Sequence, residues 1–298
     1  MFVNKEIGQG ILWMAVVFLM SFSLRAGEFR VPDVPVGEVC RYAVHSETKE
    51  GESASESWIS PREEIIHITQ IISGFEKDGK PYYKFFRAEY LAGEHINYYS
   101  YDFTRFDPYR FLVFEKIMQS PNGRIIKKEI TYFDDPGHPF PLDLNHFSSL
   151  PMAVRGLDFE KGETNDLKIW FSSHFTPWKM NIVVEGKEKV RVPAGEFECY
   201  KVRLEGDLRA IFRKWYWVAR MINPWIPKFY YWFDVNPPYP MVKFNGRFGP
   251  VGFSPVQVHE LVSIGMAGPE ELDMIKKYSS PPEEIMLYED FKRMEDNG

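Results

Sequence analysis

Cysteine is scarce: two thiols, Cys40 and Cys199, stand in 298 residues. That excludes the disulfide framework on which small secreted folds depend. No second Cys or His lies at ligand spacing from either thiol, which speaks against a zinc site. Alternation also argues against a bridge between the two. Cys40 shares a strand face with Tyr42 and Val44, a core pattern, whereas Cys199 shares one with Lys201, Arg203 and Glu205, a solvent pattern.

Catalytic signatures are missing as well. There is no G-x-S-x-G elbow, H-E-x-x-H pair, phosphate loop or G-x-G-x-x-G turn. The densest group of metal-capable side chains is Asp134, Asp135, His138 and His146, but Pro136, Gly137 and Pro139 read the same stretch as a loop. Glu63 and Glu64 precede a strand and mark solvent exposure. The expectation is a protein that is not an enzyme and holds no metal or cofactor. Net positive charge is absent too: 36 Lys and Arg face 42 Asp and Glu, a formal charge of −6. An acidic total argues against a nucleic-acid partner.

Long hydrophobic runs are limited to Ile11–Leu24, 14 residues. A membrane-spanning helix needs about 20. Lys5 precedes the run and Leu24-Arg25-Ala26 follows it, so residues 1–26 read as a signal peptide cleaved after Ala26, with retention as an anchor the alternative. No Cys follows the run, so no lipoprotein anchor is expected.

What is abundant is aromatic: 16% of residues, a composition that suits pleated surfaces. Strands are expected at Val36–His45, Glu64–Ser73, Tyr82–Leu91, Ile96–Phe103, Tyr109–Gln119 and Ile125–Phe133, the last two joined through Asn122-Gly123, a strong hairpin signal. Asp134–Pro141 cannot continue a strand, and Asp143–Leu157 has the spacing of a short helical crossover that Pro151 would kink or limit. Strands resume at Leu167–Ser172, Met180–Glu185, Glu188–Val192, Phe197–Glu205, Phe229–Val235, Met241–Asn245 and Val256–Ile264. The expected fold is mainly β: a curved antiparallel sheet or half-barrel of about a dozen strands, in one domain over residues 27–265. Residues 266–298 read as a charged tail, weakly helical or disordered.

Leu208–Trp232 stands apart. It carries nine aromatic residues and five Lys or Arg in 25 positions, with no acid. Leu208, Phe212, Trp215, Ala219 and Ile222 form one apolar helical stripe; Arg209, Arg213 and Arg220 form a second; Trp217 and Met221 fall between them. Asn223-Pro224 ends the helix. Two readings stay open. In one, the helix plugs the open face of the sheet with Phe212 and Trp215. In the other it is an interfacial lid, with Phe212, Trp215, Trp217, Trp225 and Trp232 facing lipid and Arg209, Arg213, Lys214, Arg220 and Lys228 engaging headgroups.

Val192-Pro193-Ala194-Gly195 reads as a turn between strands, with Phe197 opening the next and Tyr200, Val202 and Leu204 pointing inward. The pattern Val-Pro-Ala-Gly-x-Phe-x-x-Tyr-x-Val over Val192–Val202 resembles the signature of an exported bacterial family carried under a domain-of-unknown-function label. The resemblance runs back through Leu150–Gly162 and forward to Tyr239–Phe244 and Val258–Val262, over residues 36–264. It implies a periplasmic protein whose curved sheet is similar in shape to the LolA/LolB-like lipoprotein carriers, which close a hydrophobic cavity with a helical lid. It implies no catalytic residues.

The expected function is therefore non-enzymatic binding of a lipid, lipidated cargo or other hydrophobic ligand, with Leu208–Trp232 gating the cavity or touching the membrane. The alternative is an envelope interaction module that docks a protein partner and holds no ligand.

Overall fold

The structure is a computed structural model that describes residues 32–47, 66–77, 80–90, 97–106, 109–119, 124–132, 144–146, 150–161, 165–170, 178–207, 217, 221, 228–247 and 256–278. The chain is mainly β. Strands β1 (Glu38–Glu47), β2 (Ile66–Lys77), β3 (Lys80–Tyr90), β4 (Asn97–Phe106), β5 (Tyr109–Gln119) and β6 (Ile125–Tyr132) form an antiparallel meander. After the crossover, β8 (Asn165–Trp170), β9 (Trp178–Val192), β10 (Gly195–Gly206), β11 (Lys228–Asp234), β12 (Met241–Arg247) and β13 (Val256–Met266) form a second. A three-residue strand, β7 (Leu144–His146), adds to β8 in parallel.

The strand order is β6-β5-β4-β3-β2-β1-β13-β12-β11-β10-β9-β8-β7. The first and last strands of the sheet's sequence thus pair with each other, from Glu38 opposite Met266 to Glu47 opposite Val256, and join the two meanders. The sheet curls enough for β7 to approach β5. On β3 the adjacent residues Phe85 and Phe86, which point to opposite faces, are both buried, so both faces of that strand are covered.

Several boundaries differ from the sequence reading for local reasons. Met180–Glu185 and Glu188–Val192 are one strand, β9, interrupted by a bulge: Gly186 lies opposite Lys201 and Val184 opposite Val202, leaving Glu185 as the extra residue. Gly186 supplies the positive φ of 138°. The crossover is not one helix over Asp143–Leu157. Its first part is β7, and the helix is confined to Leu150–Val154. Pro151 accounts for this. In the first turn its missing N–H costs nothing, whereas a helix extended upstream would set its ring against a carbonyl. All five residues of this crossover helix are buried.

The tail begins with a helix, Pro269–Tyr278. Glu271 accepts a hydrogen bond from the Gly268 N–H at 2.9 Å, which caps the helix start, and also pairs with Arg41 of β1. Residues 1–26 and the tail beyond Tyr278 lie outside the described residues.

The core lies between the crossover and the second meander. Tyr42, Leu150, Ala153, Met180, Ile182, Val202, Leu204, Tyr231, Phe233, Val242, Phe244 and Leu261 are among its buried members. Both thiols are free and buried. For Cys199 this corrects the solvent-facing expectation: its strand face does carry Lys201 and Arg203, but its own position is fully covered. Burial first, then nearby Asp234, Glu188 and Glu198, push its thiol up to about 12. Among the described residues, no helix is long and apolar enough to cross a membrane.

Candidate functional site

The Val192–Val202 corner organises the second meander. Gly195 adopts a φ of 135°, which a residue with a Cβ reaches only under strain. The Ala194 N–H donates to the Leu261 carbonyl of β13 at 3.0 Å. That contact falls where β1 and β13 slip register between Arg41 and Tyr42, skipping Val262, so the turn covers the irregularity. Tyr200 reaches the crossover instead. Its ring stacks on Phe159 at 4.7 Å and 8°, and its hydroxyl donates to Glu160, which also accepts from Lys187 at 2.9 Å. These two bonds lower the Glu160 carboxyl below its ordinary range.

A second anchor of the crossover escaped the sequence reading. Arg155, just past the crossover helix, is buried and gives a two-pronged pair to buried Glu38 of β1, 2.5 Å from Nη1 to Oε1 and 2.9 Å from Nη2 to Oε2. Its Nε donates to the Pro238 carbonyl at 2.7 Å, which ties in the β11–β12 loop. Beside it lies a cavity lined by Glu38, Cys40, Tyr42, Phe85, Met152, Arg155 and Met241, with about 10 Å³ of free volume. That space holds one water and no acyl chain. The Tyr42 hydroxyl crosses the interior to the Met241 carbonyl at 2.9 Å. A lone Arg after an apolar run and a lone Glu opening a strand, 117 residues apart, leave no local pattern by which to find them.

Of the residues assigned to the aromatic–basic segment, Trp217, Lys228 and Trp232 are described; Phe212, Trp215, Trp225, Arg209, Arg213, Lys214 and Arg220 lie outside the described residues. Trp217 and Met221 are helical, one turn apart, and 62% and 68% exposed. Lys228 is partly buried at the start of β11, opposite Glu205.

Trp232 corrects the expectation of a lipid-facing side chain. It is buried in the middle of β11. Its indole N–H donates to Glu188 at 2.5 Å, and the Lys201 ammonium lies 5.5 Å from its ring and 5.4 Å from that of Tyr230. In register it stands between Lys201 and Lys243, the latter paired with Glu260 at 2.8 Å. Lysine stems cover the ring, so it is spent on the sheet's charged outer face. The sequence reading placed it both in this segment and in the strand Phe229–Val235; pairing with β10 and β12 decides its surroundings.

The described residues contain no group of three His, Cys, Asp or Glu able to hold a metal ion. Asp134, Asp135 and His138 lie outside them, as does the side chain of His146.

Fold and corner together define a mainly antiparallel β protein with similarity to an uncharacterised domain family. Residues 112–230 match the family described as Protein of unknown function (DUF3108). That span contains the signature corner and is narrower than the 36–264 expected from the signature. No curated protein matches the sequence. Among solved structures, the chain is similar to a β-barrel-like protein of domain of unknown function DUF1849 from Brucella abortus, with 8% identity, 80% of this chain and 99% of that chain covered, and a TM-score of 0.46. It is also similar to a predicted exported protein with a YmcC-like fold from Bacteroides fragilis, at 11% identity, 81% and 100% coverage and a TM-score of 0.33. A predicted lipoprotein from Parabacteroides distasonis matches at 10% identity, 81% and 100% coverage and a TM-score of 0.32.

Proposed function

We propose that this protein is a non-enzymatic, exported, periplasmic protein that binds a lipid or other hydrophobic ligand and uses Leu208–Trp232 as a membrane contact and gate. The observation that carries the reading is the exposed pair Trp217 and Met221, set in a stretch of five basic and no acidic residues. Leaving a large apolar side chain in water forgoes roughly 1.5–3 kcal/mol of burial. An interface recovers that energy, and Arg and Lys add about 1 kcal/mol each beside anionic headgroups.

The test is co-sedimentation of the full-length chain with phosphatidylglycerol vesicles, beside mass spectrometry of lipid extracted from protein purified without detergent. Near-stoichiometric lipid in the extract, and vesicle binding abolished by Trp217→Ser with Trp225→Ser at unchanged circular dichroism, are expected. Unchanged vesicle binding sinks the membrane role, and an empty protein sinks the ligand role.

A second reading, an envelope interaction module, is favoured by a different observation. Val36, Val262, Ile264 and Met266 at the joined ends of β1 and β13, with Leu272 on the following helix, are all exposed. Exposed apolar patches of that kind serve protein partners. It predicts a stoichiometric protein partner, captured by cross-linking and lost in Met266→Asp, with no lipid in the extract.

A further inference from the structure

Among the described strands, every pair of neighbours in the sheet is also consecutive in sequence except β1 and β13. These two lie at opposite ends of the described chain, so no hairpin turn tethers their ladder. A register slip also interrupts it between Arg41 and Tyr42. On its other side β13 pairs with β12 from Val256 to Glu260 alone, which leaves Leu261–Met266 with β1 as their described strand partner.

One titratable ring stands inside this ladder. His259 lies opposite Val44 of β1 on one side and Phe244 of β12 on the other, two residues from Leu261, which forms the first pair beyond the slip. It is 5% exposed, and its ring meets Phe244 edge-on at 4.8 Å. Among the described residues its Nε2 has no hydrogen-bond partner. Tyr42, Val44, Phe244 and Leu261 beside it are buried. A buried nitrogen without a partner is costly, and a charged one would be far more so.

The groups around the ring offer an added proton no counter-charge. Glu260, the next residue, is turned to the other face, where it pairs with Lys243 of β12 at 2.8 Å. Beyond Phe244, β11 presents Tyr231, whose phenol burial keeps neutral. Across β1, the residue in register is Ile66 of β2. Burial first, then Arg87 of β3 and His45 of β1, hold the imidazole well below its ordinary range, so it is neutral while the ladder is closed. An open ladder would put the ring in water, where it takes up a proton near its ordinary value of 6.5. Protons thus bind the open form in preference to the closed one, and acid favours opening.

We propose that the β1–β13 ladder is an acid-responsive joint, in which protonation of His259 parts β1 from β13 while each meander keeps its own hairpins. Parting uncovers the inner-face side chains Tyr42, Val44 and Leu261. The joint is independent of the hydrophobic-ligand reading: it governs when the inner face is reached, whatever reaches it.

The test is amide hydrogen exchange of the full-length chain at pH 7.5 and pH 5.0, each corrected for the intrinsic rate and read by mass spectrometry. Peptides covering β1 and β13 should lose about tenfold or more of their protection at the lower pH, beyond any loss in β9 and β10. His259→Gln carries no titrating ring and should abolish that excess. If it fails to fold, His259→Phe, which keeps a ring against Phe244, decides in its place. An equal loss in all strands, no excess loss in β1 and β13, or an excess that persists in the folded variant overturns the joint. No lipid is added, so none of these outcomes bears on the ligand reading.

Discussion

Arg155 shows what one side chain does when buried with its charge. It is held at three points, two on Glu38 and one on the Pro238 carbonyl. Removing one member leaves an uncompensated charge in the core, so Arg155→Met should lower unfolding stability by about 3–5 kcal/mol in urea titrations. Adding Glu38→Leu should recover much of that loss, because an apolar pair of similar volume is often neutral. A double variant as weak as the single one would mean the pair also enforces geometry. His259 has the opposite character. Its folded imidazole is held below its ordinary value of 6.5, chiefly by burial, so the unfolded chain binds the extra proton. Its contribution is present above about pH 6.5 and is lost as pH falls below that value. Stability measured at pH 7.5 and pH 5.5 should therefore drop less in His259→Gln than in the wild type; identical drops would contradict this.

At the level of elements, the corner between β9 and β10 matters most. It hands the Ala194 N–H to β13 and the Tyr200 ring to the crossover, so one turn positions two distant segments. Gly195→Ala tests the strain directly. A Cβ there would meet only Phe197, at 3.9 Å, so the penalty comes from the φ of 135° and not from a clash. About 1–3 kcal/mol is expected, read as a lower melting temperature with unchanged near-ultraviolet dichroism. The corner was legible because turn chemistry is local: Pro presets φ and Gly permits its reversal. Trp232 was not. Period and composition place it in the aromatic stretch, but strand pairing with β10 and β12 sets it between two lysines.

For the whole molecule, the pairing of β1 with β13 is the joint. Each meander is assembled from neighbours in sequence, and the two become one sheet through the β1–β13 ladder. A chain ending at Ser254 would lack β13 and expose the edges of β1 and β12. Such edges pair with other chains. The truncated protein should be insoluble or oligomeric by size-exclusion chromatography, and a soluble monomer with the native far-ultraviolet spectrum would refute this role. A cut after Tyr278, by contrast, keeps the Gly268–Glu271 cap and the Arg41–Glu271 pair and should stay monomeric.

The sequence by itself determined the strand-rich class, the antiparallel hairpins, the position of the crossover and the corner at Val192–Val202. Each follows from alternation, β-branched and aromatic content, or Pro and Gly within a few residues. The exposed Trp217 and Met221 also follow from helical spacing, which set them off both stripes. The tertiary structure alone decided how the two meanders join, where Trp232 and Cys199 lie, and which charges are buried together. Glu38 finds Arg155 through the docking of the crossover on the sheet, and His259 finds Phe244 through strand order and register. Those are properties of the whole sheet: a side chain's surroundings in a curved sheet are set by strands far away in sequence, and a short-range pattern carries no information about them.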